Sequence, residues 1–115
     1  MSTAGVYNFT LDQGSVFYIN LVYNNPDGTP INLTGMTARM QVARSFTAVK
    51  DLTLSSPSNG IVITPLTANI AVTITDEQTA LLGSGFYVYD LELDNAGVID
   101  RIIQGTITVS PQVTV

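Results

Sequence analysis

The chain has 115 residues and a formal net charge of -5, from nine acids against four bases, a balance that excludes a duplex-binding surface built on clustered lysines and arginines. Cysteine and histidine are absent, which removes disulfides, thiolate nucleophiles, the usual zinc ligands and the commonest general base. Apolar residues make up 45% against 11% charged; a domain this small cannot hide that much apolar surface, so some of it is expected to meet another protein.

In chain order, the start MSTAGVYNFT lacks the basic and apolar regions of a secretory signal. No apolar run approaches the roughly 18 residues of a membrane span, so neither a membrane nor a nucleic acid is expected as partner. Period-two alternation predicts a first strand over 6–11, closed by Asp12-Gln13-Gly14, and a second over 15–23. In the second, Phe17, Ile19, Leu21 and Tyr23 share one face and Val16, Tyr18 and Val22 the other. Two apolar faces predict a central strand or one covered by a partner. The stretch NNPDGTPINLTG at 24–35 has turn chemistry, with proline presetting one dihedral and glycine accepting positive φ.

Ala38, Met40 and Val42 then alternate with Arg39, Gln41 and Ala43 in a half-buried strand. Short strands are predicted over 49–54 and 61–64, around the turn SSPSNG, and Ile70, Val72 and Ile74 mark another. Residues 75–82 are the one helical piece, with Thr75 or Asp76 as cap and Gly83 as stop. A hairpin of 86–93 and 98–109 closes the chain around the turn DNAG at 94–97. In a regular strand Ile99 and Arg101 would share a face with Ile103, so the adjacent pair Ile102-Ile103 predicts a bulge that frees Arg101 to reach solvent. Seven or eight short strands with at most one helical turn define an all-β class: a single antiparallel β-sandwich over 1–115, immunoglobulin-like or fibronectin-like.

The polar constellations have plain readings. Asp90, Glu92 and Asp94 stand at alternate positions on one strand face, with Arg101 as a cross-strand neighbour. A strand spreads its carboxylates, whereas calcium needs six or more converging oxygens. The sequons at Asn8 and Asn32 need a secretory route to be modified. Lys50, the only lysine, stands next to Asp51 and is expected exposed and charged rather than neutral and catalytic. No catalytic residue, cofactor or metal site is expected. Of the five tyrosines, Tyr87 and Tyr89 follow a turn and are expected in sheet packing, as a corner tyrosine would be. Tyr18 is the better interface candidate.

Four stretches in order carry a family resemblance: QGSVFYINL at 13–21, NPDGTPINLTGMTARM at 25–40, LLGSGFYVYDLEL at 81–93 and RIIQGTITVS at 101–110. The chain resembles small virion proteins of tailed bacteriophages. It is similar to the immunoglobulin-like N-terminal domain of siphophage baseplate upper proteins, which joins receptor-binding parts to the tail. Those proteins continue into receptor-facing segments, whereas this chain ends at Val115, which fits a stand-alone adaptor equally well. The resemblance implies a virion structural protein assembled in the bacterial host cytoplasm. It would be a tail, baseplate or fibre adaptor acting by protein–protein contact with other virion components, as a homo-oligomer. A capsid decoration protein and a carbohydrate-binding module for a host surface are the alternatives. The contact residues expected are Tyr18 and Val22 on the second strand, with Val113 and Val115 on a terminal PQVTV segment able to add a strand to a neighbour.

Overall fold

The computed structural model describes residues 5–111. Among them run nine strands: β1 (Gly5–Val6), β2 (Phe9–Asp12), β3 (Phe17–Val22), β4 (Thr37–Ala43), β5 (Lys50–Ser55), β6 (Ile61–Thr64), β7 (Asn69–Ile74), β8 (Gly85–Asn95) and β9 (Val98–Ser110). A short helix, α1 (Asp76–Leu81), joins β7 to β8, and a single 3-10 turn at Pro65–Thr67 joins β6 to β7. The extra strand relative to the seven or eight expected comes from the N-terminus, where one predicted strand is two.

Two sheets face each other. The larger has the order β1-β9-β8-β4-β5, with β2 also on β9, and the smaller the order β3-β7-β6. Both N-terminal strands run parallel to β9, Gly5 opposite Ile103 and Phe9 opposite Ile107. Between them the chain leaves the ladder at Tyr7 and Asn8. The Asn8 side chain fills the gap: its Oδ1 accepts from Thr106 N at 2.9 Å. A Cβ on Gly105 would lie 2.2 Å from Tyr7 O and 2.7 Å from Asn8 Oδ1, so only glycine admits this approach.

Alternation sets the core. In β4, Ala38, Met40 and Val42 point inward; in β7, Ile70, Val72 and Ile74; in β8, Tyr87, Tyr89, Leu91 and Leu93, all buried. Leu33, from the long connection before β4, is fully buried as a plug, its N–H donating to Pro65 O at 3.1 Å. Each such aliphatic side chain contributes about 1.5–3 kcal/mol through removal from water. Phe9 lies between the sheets, stacked on Phe17 at 4.6 Å between ring centroids and tilted against Tyr89 at 5.0 Å.

The hairpin of β8 and β9 turns at Ala96 and Gly97, both at positive φ (52° and 92°), the geometry of a two-residue type I′ loop. Asp94 Oδ1 accepts from Gly97 N at 2.8 Å. Leu91 pairs with Ile103 and Glu92 with Arg101, so Ile102 is the extra residue of a bulge, as expected. Its side chain is buried in the core while Arg101 reaches solvent. The helix also follows the expected pattern. Thr75 and Gln78 form a capping box, although Leu82 rather than Gly83 closes the C-terminus.

The predicted corner tyrosine is Tyr87. Its hydroxyl donates to Gly83 O at 2.8 Å, four residues back. The Arg44 guanidinium lies 4.1 Å over the ring and donates to Ser84 O at 3.2 Å, clamping the corner from β4's end.

Candidate interaction surface

The two outward faces of the sandwich differ in chemistry. On the larger sheet, Arg39, Glu92 and Arg101 form one cross-strand row, and Gln41, Asp90 and Gln104 the next. Arg101 Nε lies 3.3 Å from Asp90 Oδ2 and Arg39 lies 3.7 Å from Glu92. The row of carboxylates is therefore a solvated strand face neutralised by its neighbours, with Asp94 committed to the hairpin turn. A shallow groove of about 320 Å³ runs over these rows, lined by Arg39, Gln41, Asp90, Glu92 and Arg101, to Lys50 and the exposed Phe46.

On the smaller sheet no residue of β3, β6 or β7 carries a charge. Tyr18 stands opposite Thr73, Asn20 opposite Ala71, and Val22 opposite Asn69; Val62 and Thr64 of β6 extend the last two rows. Tyr18 is 62% exposed, Val22 52% and Val62 56%. The structure thus brings Tyr18 and Val22 onto one face, as expected, and joins Val62 to them. Sequence reasoning missed Val62, although the alternation of Ile61 and Ile63 around it points it outward. Val113 and Val115 lie outside the described residues. Of the two readings of its apolar faces, a central strand or one covered by a partner, the first is corrected: among the described residues β3 is an edge strand, because the N-terminal strands pair with β9 instead of with β3. Its two apolar faces have separate causes, the core inside and bare surface outside.

The turn-rich connection before β4 is engaged with itself. Asn25 N donates to Thr29 O and Gly28 N to Asn25 O, at 2.7 and 2.9 Å. Asp27 accepts from the Thr29 hydroxyl at 2.6 Å and from Thr29 N at 3.0 Å, and these bonds to the charged form hold its carboxyl below the usual 3.8. Asn32 Oδ1 makes the same turn with Thr34. Their side-chain oxygens serve the local turns.

Two facing sheets, the tyrosine corner and the β8–β9 hairpin define an immunoglobulin-like β-sandwich. No protein-family model matches the chain, and no curated protein does. Solved structures similar to it include one described under photo-crosslinking of multimeric cell-adhesive interactions of VGSC beta subunits, with 14% identity and a TM-score of 0.47, over 99% of this chain and 98% of that one. Another is the N-terminal domain of phage TP901-1 ORF48, with 13% identity and a TM-score of 0.47, over 88% of this chain and 82% of that one.

Proposed function

We propose that this protein is a structural component of a bacteriophage virion, an adaptor of tail, baseplate or fibre that acts by burying surface against other virion proteins. The order of its sequence stretches, which resembles that of phage baseplate upper proteins, supplies the virion context. The observation that carries the mode of action is the uncharged outward face of β3-β7-β6, where Tyr18, Val22 and Val62 stand more than half exposed. Interface cores are depleted in charge and enriched in aromatic residues, and this face has that composition. Chemistry at the surface plays no part in the reading; the work is attachment.

The test is incorporation. Tyr18→Glu and Val62→Glu, expressed in place of the wild-type chain during particle assembly, are expected to fold and to be missing from purified particles. Incorporation of both variants at wild-type levels, or absence of the wild-type chain from particles, would overturn the proposal. A second reading, a carbohydrate-binding module, is favoured by one feature, the polar groove beside Phe46, where a ring could stack against a sugar. Retained glycan binding by Tyr18→Glu together with loss in Phe46→Ala would select that reading.

A further inference from the structure

We infer that β3 pairs edge to edge with the β3 of a second copy of this chain, so that two three-stranded sheets become one continuous sheet. The inference goes beyond virion attachment: it uses the backbone edge of β3, with Tyr18 and Val22 brought side by side on the outward face, and it concerns the chain with itself.

The free edge follows from the ladder. Tyr23 N donates to Ala68 O at 2.9 Å, continuing the register in which Val22 stands opposite Asn69. In an antiparallel ladder backbone groups alternate in direction. Phe17, Ile19 and Leu21 therefore bond towards β7, while the N–H and C=O groups of Tyr18, Asn20 and Val22 point away from it. Among the described residues β3 has β7 as its one strand neighbour.

Proteins blunt exposed strand edges with charge, proline, bulges or brevity. The other edges show such devices. The edge strand β5 carries exposed Lys50 and Asp51, β6 is four residues long, and the N-terminal edge is broken at Tyr7 and Asn8 and ends in Asp12. The six residues of β3, FYINLV, have none of them.

The edge is also complementary to itself. Opposed residues of an antiparallel pair share a face, so in a two-fold pair one residue of β3 stands opposite its own copy, with the axis between them. An axis at Asn20 sets Tyr18 against Val22 of the second copy, Ile19 against Leu21, and the two Asn20 amides against each other. Aromatic side chains then meet β-branched ones twice, a favourable cross-strand pair, with apolar residues on the core side. Moving the axis to Ile19 would set Tyr18 against Asn20 and lose that match. Electrostatics point the same way. Each copy has a net charge of -5, and two such chains approach with least repulsion along a charge-free edge.

The chain has no cysteine, so Asn20→Cys supplies a single thiol. A hydrogen-bonded pair at the axis has Cα atoms about 5.5 Å apart, inside the roughly 4.4–6.8 Å range of a disulfide. Sedimentation of the wild-type full chain is expected to give twice the monomer mass. Under mild oxidation the Asn20→Cys chain is expected to form a covalent dimer, while Thr53→Cys, exposed on β5, is not. Asn20→Lys, which opposes two like charges, is expected to sediment as a monomer with the wild-type circular dichroism spectrum. A wild-type chain monomeric at the highest concentration attainable would overturn the inference. So would a dimer that Asn20→Lys leaves intact, or equal cross-linking at the two cysteine positions. The readout needs no virion, so its failure and the failure of the virion proposal are separate results.

Discussion

At the scale of single residues, two neighbouring inward tyrosines do different work. Tyr87 closes a local corner, whereas the Tyr89 hydroxyl donates to Tyr7 O, 82 residues away in sequence, and pins the N-terminal kink to the centre of the larger sheet. Burial, with a smaller contribution from the nearby Tyr7 phenol, pushes the Tyr89 hydroxyl up from 10.0 to about 12. The raised value fixes the sign of the pH dependence. The folded chain holds this proton more tightly than the unfolded one, so the stabilisation is complete below pH 10 and is lost as pH rises from there towards 12. Denaturant titrations across that window are expected to show falling stability in the wild type. Tyr89→Phe is expected to be about 1 kcal/mol less stable at neutral pH, through the lost hydrogen bond, and to lose less on the alkaline side. Parallel decline of the two chains would place the alkaline sensitivity elsewhere.

At the scale of elements, the joints matter more than the strands. Thr79, fully buried in α1, accepts from Gly14 N at 3.1 Å and donates to Ser15 O at 2.8 Å, tying the helix to the β2–β3 turn. Gln13 adds a bond to Leu82 O at 2.9 Å. Thr79→Val keeps the shape and strands the Gly14 N–H, an expected loss of about 1–3 kcal/mol. Faster amide exchange at Gly14, with the β8–β9 hairpin unchanged, would be the signature of the broken tie; an unchanged melting temperature would refute it. This joint was not legible in the sequence, because a threonine inside a helical pattern looks the same whether it faces solvent or a turn far away in the chain. What was legible is local: the alternation in β4 and β7, the capping residue Thr75, the hairpin turn, and the bulge betrayed by adjacent Ile102 and Ile103. The split of the first strand was hidden for the opposite reason. It depends on Gly105 leaving room for Tyr7 and Asn8, a contact across almost the whole chain. The edge position of β3 was hidden with it, since only the choice of β9 by the N-terminal strands bares that edge.

At the scale of the whole molecule, charge is sorted between faces, and the sorting makes salt a probe of which face the protein uses. The ion pairs Arg39–Glu92 and Arg101–Asp90 hold arginine side chains 56% and 50% exposed, so each contributes only about 0–1 kcal/mol and weakens with ionic strength. Any partner recognised by that ladder would be held by charges screened over about 10 Å at 0.1 M salt. The sheet of β3, β7 and β6 offers nothing for salt to screen, and high salt strengthens the burial of apolar surface if it acts at all. Two acidic chains brought together there also gain when their residual repulsion is damped. Association through the smaller sheet is therefore expected to hold or tighten as sodium chloride rises from low values to well above 0.1 M, where the Debye length falls towards about 3 Å. Sedimentation of the chain alone and pull-down of the proposed virion partner across that series measure the two contacts separately. Dissociation by salt in either experiment would move that contact to the charged ladder of β4, β8 and β9.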